Sequence, residues 1–203
     1  NTNNWEKAKG AQYFPREIIK ITEDEVFIDV GAFDGDTIAI FLKESCGKFA
    51  QIIAYELDKN NYLKLIANIN QYEPEIKNKI ILYNLGLLNE NKTINYISGS
   101  TTESVISASE SNETGTVVKL SEHLTRVSPT YIKMDIEGAE LDALMGAEEI
   151  IKRCKPKLAI CVYHKPDHFW EIPFYIKRIV PEYKIYLRHH STNIIETVCY
   201  AVI

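Results

Sequence analysis

Two short stretches of the 203-residue chain gather residue types that could do chemistry. The first is Phe27-Ile28-Asp29-Val30-Gly31-Ala32-Phe33-Asp34-Gly35-Asp36-Thr37, an apolar run that passes into a turn with two glycines and two carboxylates. Glycines there let the backbone bend sharply and let a ligand approach closely. The second is Ile132-Lys133-Met134-Asp135-Ile136-Glu137-Gly138-Ala139-Glu140. In an extended chain the period of two puts Lys133, Asp135 and Glu137 on one side, with Met134 and Ile136 on the other. A Lys, an Asp and a Glu converging at a strand end can orient a charged ligand or take up a proton. Gly138 then permits a tight entry into a following helix. Helix capping alone explains one of these carboxylates, but not the whole cluster.

The charges narrow the ligand of the glycine turn. A dinucleotide requires G-x-G-x-x-G, with its pyrophosphate on a helix N-terminus. Here Ala32-Phe33-Asp34 separates Gly31 from Gly35, and Asp34 and Asp36 would meet a pyrophosphate with like charge. S-adenosylmethionine carries an ammonium and a sulfonium and no phosphate, so carboxylates suit it. Glu56, 21 residues after Gly35, ends the next apolar run and can accept hydrogen bonds from both ribose hydroxyls. Leu57 is placed to pack on the adenine, and Asn84-Leu85-Gly86 falls where such folds hold the adenine edge. The plainer readings are a solvated carboxylate at Glu56 and an ordinary turn at Asn84. No G-x-x-x-x-G-K-[ST] occurs, which excludes a P-loop.

His164 follows the run Lys157 to Tyr163 and is expected at the same rim, one strand over, as a proton-handling or a structural residue. Arg188-His189-His190 ends the strand after that, and one of the two histidines is expected to face the pocket. His123 and His168 are assigned no chemistry.

The elements that must position these residues alternate. Strand-length apolar runs are 26–30, 51–55, 80–84, a weaker 93–97, 131–136, 157–163, 184–189 and 197–202. Helical spacing lies between them at 37–42, 61–69, 139–153 and 169–180. Such alternation predicts an α/β domain with a mainly parallel sheet covered on both faces. Only residues 190 to 196 join the last two strands. That is too short for a parallel crossover, so one antiparallel strand is expected near the C-terminus. Residues 1–21 are expected to be a helical lead-in and residues 22–203 the domain. Ser98 to Thr116 reads as an irregular segment, either a solvated linker or a lid.

Composition sets the bounds. The chain is 45% hydrophobic, enough for a real core, and its net charge of −5 disfavours a general grip on nucleic acid or anionic lipid. No apolar run reaches the ~20 residues of a spanning helix. Residues Asn1 to Trp5 are polar and lack a signal peptide's apolar stretch. Four scattered cysteines without a C-x-x-C fit a reduced, cytoplasmic protein. The first residue is not Met, which fits a piece of a larger chain. A homo-oligomer is the other partnership considered.

With both clusters in view, the chain resembles the FkbM family of S-adenosylmethionine-dependent methyltransferases. The glycine turn and Tyr55-Glu56-Leu57-Asp58 carry part of the likeness. The stretch Lys133 to Glu140 is similar to the family's Lys-x-Asp-x-Glu-Gly-x-Glu signature and is the more diagnostic. Leu57 departs from the family, where many members have Pro after the acid. The resemblance implies a Rossmann-like class I methyltransferase fold, with seven strands and the last antiparallel. It implies methyl transfer to a hydroxyl oxygen of a sugar, glycan or natural product. Cofactor contacts are expected from Asp29, Gly31, Ala32, Phe33, Asp34, Gly35, Thr37, Glu56, Leu57, Asn84, Leu85, Asp135 and Glu137.

Methyl transfer from a sulfonium is an in-line displacement that requires an aligned acceptor and exclusion of water. His164 or Asp135 is expected as the base, with Lys133 tuning the local charge. No metal is assigned, although a divalent cation on Asp135, Glu137 and His164 is the lesser alternative. A catalytically silent scaffold module in a larger glycan-modifying assembly is the competing function.

Overall fold

The computed structural model describes residues 12–98, 113–192 and 196–203. The apolar runs form strands because β-branched and aromatic residues suit a pleated, covered surface. They are β1 (Val26–Val30), β2 (Gln51–Tyr55), β3 (Ile80–Tyr83), β4 (Gly86–Leu87), β5 (Lys92–Tyr96), β6 (Glu113–Val118), β7 (Tyr131–Met134), β8 (Lys157–Cys161), β9 (Lys184–His189) and β10 (Thr197–Val202). The helices are α1 (Asp36–Glu44), α2 (Lys59–Ile69), α3 (Pro74–Lys77), α4 (Leu120–His123), α5 (Glu140–Gly146), α6 (Glu148–Cys154) and α7 (His168–Ile179).

Seven strands make one sheet in the order β3-β2-β1-β7-β8-β10-β9. β10 runs antiparallel to both of its neighbours, and the other pairings are parallel. The expected antiparallel strand is therefore the last in the chain and is inserted beside the edge. The chain winds outward from β1 through β2 to β3, then returns to lay β7 against the other side of β1. That reversal leaves a crevice at the carboxyl ends of β1 and β7, the place where open α/β sheets bind ligands.

Alternate residues of β1 feed opposite cores. Ile28 and Val30 pack with Ile132, Met134, Leu144 and Ile172 on one face. Phe27 packs with Phe14, Phe41 and Tyr131 on the other. The Phe27 and Phe41 rings stack with centroids 4.7 Å apart. The helices are positioned by local signals as well as by these cores. Asp58 caps α2 by accepting from the backbone N–H groups of Asn60 and Asn61 at 2.8 and 3.0 Å.

Three expectations change. The helix read over 139–153 is two helices meeting at Ala147. A side chain at Gly146 would meet the Leu88 carbonyl at 2.0 Å, so a close tertiary approach sits at the break. Residues 113–116, read as part of an irregular segment, belong to β6, which pairs with β4 and β5 in a second, three-stranded sheet. Residues 99–112 of that segment lie outside the described residues, and with them most of the proposed lid. The lead-in was expected to be helical. Its described part, 12–21, holds bends and a turn at 16–18 and no helix. Among the described residues, no helix is long and apolar enough to cross a membrane.

Candidate active site

The turn after β1 is shaped by crowding from the neighbouring strand end. Gly31 has φ +76°, and a Cβ there would lie 1.9 Å from the Asp135 carbonyl oxygen. Phe33 and Gly35 are also left-handed, at φ 50° and 94°. The turn thus folds back tightly, and its Phe33 N–H points at Glu56. Beside it opens a cleft of about 860 Å³.

One wall of the cleft is the Glu56 side. Glu56 is buried and accepts from Phe33 N–H and Asp58 N–H, each at 2.8 Å. Burial pushes its carboxyl up to about 7, against those two hydrogen bonds. Leu57 and Leu85 supply apolar surface to the same cavity. Asn84 stands behind this wall. Its amide donates to the carbonyls of Glu56 and Leu57 at 2.8 and 2.9 Å, so it fixes the strand end.

Beneath the turn lies a sealed ion pair. Asp29 and Lys133 are register partners on β1 and β7, and Lys133 Nζ sits 3.0 Å from Asp29 Oδ1. Both side chains are almost wholly buried. Nζ also donates to the Gly31 carbonyl at 2.6 Å. Burial opposes the Lys133 charge, but Asp29 and Asp135 outweigh it and hold the ammonium above its usual pKa. The same burial raises the Asp29 carboxyl to about 6, even with Lys133 beside it. This pair anchors the turn from below.

The opposite wall is the carboxylate and imidazole cluster. Asp135 follows β7 directly, and Glu137 and Gly138 turn the chain with φ of 53° and 95° before α5. Glu140, fully buried in the first turn of α5, accepts from Ile136 N–H at 2.9 Å and Gly138 N–H at 3.3 Å. The same Oε1 stands 2.7 Å from His164 Nδ1, and Oε2 stands 3.3 Å from His168 Nδ1. Burial would raise the Glu140 carboxyl, but the two histidines and the Ile136 N–H hold it down at about 2. His164 Nε2 lies 3.4 Å from Asp135 Oδ1 and 3.3 Å from Glu137 Oε2. Burial works against charge on His164, yet Glu140, Asp135 and Glu137 together raise its pKa. Tyr13 donates to Asp135 Oδ2 at 2.7 Å, and Tyr163 to Oδ1 at 3.4 Å.

Of the residues singled out from sequence, the cleft is lined by Gly31, Phe33, Thr37, Glu56, Leu57, Leu85, Lys133, Asp135, Glu137 and His164. Asp29, Ala32, Asp34, Gly35 and Asn84 stand outside its lining. Neither His189 nor His190 faces it, contrary to expectation. His189 Nδ1 is 2.8 Å from Thr197 Oγ1, and His190 Nε2 is 2.6 Å from the Tyr200 hydroxyl. Sequence reasoning missed Tyr13, Tyr163 and His168. Glu140, the first residue of α5, stood in the motif without a role, because an acid in a first helical turn reads as an ordinary helix-start residue.

The sheet order and the cleft at the β1 and β7 strand ends define an α/β methyltransferase fold. The methyltransferase FkbM domain profile matches residues 29–187, and the chain belongs to that family. A crystal structure of methyltransferase FkbM from Methylobacillus flagellatus KT is similar at 28% identity and a TM-score of 0.82. The match covers 95% of this chain and 47% of that one, so the chain spans about half the length of this relative. A Geobacter metallireducens GS-15 precorrin-6y C5,15-methyltransferase shares the fold at 10% identity, with a TM-score of 0.53 over 89% of this chain and 80% of that one. A Streptococcus mutans protein described as a methyltransferase and solved in complex with S-adenosylhomocysteine does so at 11% identity, with a TM-score of 0.54 over 97% and 96%. No curated protein matches the chain.

Proposed function

We propose that this chain is an S-adenosylmethionine-dependent methyltransferase that methylates a hydroxyl of a small molecule, sugar or glycan. The observation that carries this reading is one cleft with two unlike walls: Glu56 and apolar side chains on one, and the Asp135, Glu137 and His164 cluster on the other.

The donor set suits the cofactor. Glu56 faces the cleft with a desolvated carboxylate, and ribose hydroxyls would supply the donors it lacks water to provide. Asp36, Glu56, Asp135 and Glu137 give the cavity a negative lining that favours an ammonium and a sulfonium. S-adenosylmethionine supplies a methyl group made electrophilic by its positive sulfur.

The chain's own residues do the rest. Gly31 and Phe33 close the turn over the strand ends, and Lys133 holds that turn from beneath. Glu140 fixes the His164 ring, and Tyr13 fixes Asp135. The acceptor hydroxyl would lie against Asp135 and His164, and its proton is drawn off by this cluster as oxygen becomes bonded to carbon. Negative charge on the cluster disfavours anionic acceptors such as nucleic acid.

Calorimetry with S-adenosylhomocysteine tests the cofactor half. Binding is expected, and no heat at millimolar ligand would leave only the silent scaffold reading. A screen of hydroxyl acceptors for transfer of labelled methyl then tests the chemistry.

A further inference from the structure

The walls of the cleft are short of positive charge for the ligand they are read to hold. Asp36, Glu56, Asp135, Glu137 and Glu196 all line it, and carboxylates suit an ammonium and a sulfonium. S-adenosylmethionine and S-adenosylhomocysteine also carry the α-carboxylate of their amino-acid end. A further carboxylate brought among these acids is repelled unless a cation meets it.

Among the described residues, three basic side chains line the cleft: Lys133, His164 and Lys165. Two of them are engaged already. Lys133 is buried beneath the β1 turn, 3.0 Å from Asp29, and donates to the Gly31 carbonyl at 2.6 Å. His164 is enclosed by Glu140, Asp135 and Glu137 at 2.7, 3.4 and 3.3 Å, so a proton on its ring is met by the chain's own carboxylates. Lys165 is different. It is exposed, and its ammonium has no ion-pair or hydrogen-bond partner among the described residues.

The turn after β7 sets the place of Lys165. Gly138 has φ +95°, and a Cβ there would lie 3.1 Å from Lys165 Cε, 3.6 Å from Cγ and 3.7 Å from Cδ. The aliphatic stem is therefore laid along the Gly138 backbone, beside the turn that carries Glu137. A lysine whose stem is packed in this way leaves its charged head to solvent or to a ligand.

We infer that Lys165 binds the α-carboxylate at the amino-acid end of the cofactor. This rests on the methyltransferase reading and extends it to the one cofactor charge that the carboxylates of the cleft cannot serve. Glu56 takes the ribose on one wall, and Lys165 takes the carboxylate on the other. The sulfur lies between ribose and amino acid in the cofactor's own bonding, so a grip on both ends fixes it between the two walls. An acidic acceptor would offer the same ammonium the same group, so the test varies the cofactor's carboxylate alone.

Calorimetry on wild type and Lys165→Met compares S-adenosylhomocysteine with its decarboxylated form, which keeps the adenosine, the sulfur and the ammonium. Lys165→Met is expected to bind S-adenosylhomocysteine about tenfold more weakly, the lower end for a charge-assisted contact because Lys165 is exposed and screened. Its affinity for the decarboxylated ligand should stay within about twofold of wild type, which also shows that the variant is folded. An unchanged affinity for S-adenosylhomocysteine in Lys165→Met would overturn the inference and leave the methyltransferase reading intact. An equal loss for the two ligands would overturn it too, because the carboxylate would then not be what Lys165 meets. Wild type that binds neither ligand would remove the cofactor reading and the inference with it.

Discussion

Lys133 and Asp135 stand two residues apart at the end of one strand, yet they belong to two different kinds of charged cluster. Lys133 is almost wholly buried beneath the turn with Asp29, and the polar atoms it meets among the described residues belong to the sheet or the turn. Asp135 opens on the cleft among Glu137, His164 and two tyrosines. The alternation of a strand gives both side chains the same side. What separates their roles is that the β1 turn passes over one and not over the other. A charge shut in with one partner works as a fastener, whereas a charge at an open rim remains available to a ligand.

The sharpest way to break that contrast is Lys133→Met. It leaves Asp29 buried without its cation and is expected to destabilise the fold by about 3–5 kcal/mol in denaturant titration. Adding Asp29→Leu should restore much of that loss, because the uncompensated charge goes with it. His164→Gln should do the reverse. It should lower methyl transfer by about 10²–10⁴-fold while the affinity for S-adenosylhomocysteine stays within about twofold, since His164 serves the acceptor wall.

Glu56→Gln should act on the cofactor wall. Loss of a charged acceptor predicts about 1.5–3 kcal/mol weaker binding of S-adenosylhomocysteine by calorimetry. In the wild type that affinity should rise as pH increases through about 7, where Glu56 ionises. The unliganded fold responds with the opposite sign. A carboxyl whose folded pKa is raised keeps its proton longer than the unfolded chain does, so its contribution to stability falls as pH rises from the ordinary carboxylate range to about 7. The smallest effect belongs to Asp34→Ala. Asp34 is outside the cleft lining, and among the described residues its carboxylate accepts only from Asp36 N–H at 3.3 Å. Affinity for S-adenosylhomocysteine should change by less than about twofold, because surface changes of this kind stay within about 0.5 kcal/mol.

The sheet was legible because its central strands are covered on both faces and read as unbroken apolar runs. β6 was not. Only Val117 of Glu113-Thr114-Gly115-Thr116-Val117-Val118 is buried, so neither a continuous run nor an alternation marks it. The break at Ala147 was hidden because Ala and Glu favour continuing a helix, and the crowding at Gly146 comes from Leu88, far away in sequence. In the site, Asp135, Glu137 and His164 could be found because strand ends are where such folds work. Tyr13 could not. It is a single tyrosine 122 positions from the carboxylate it holds, and only the packing of the lead-in against β7 brings the two together.

Gly31 carries a consequence for genetic variation. Every missense codon one base away from glycine encodes a side chain with a Cβ, and that carbon would fall 1.9 Å from the Asp135 carbonyl oxygen. The strand ends cannot part to admit it without moving Asp135, which the acceptor wall depends on. In a saturation library selected for function, position 31 should accept synonymous codons alone, whatever the polarity or size of the replacement.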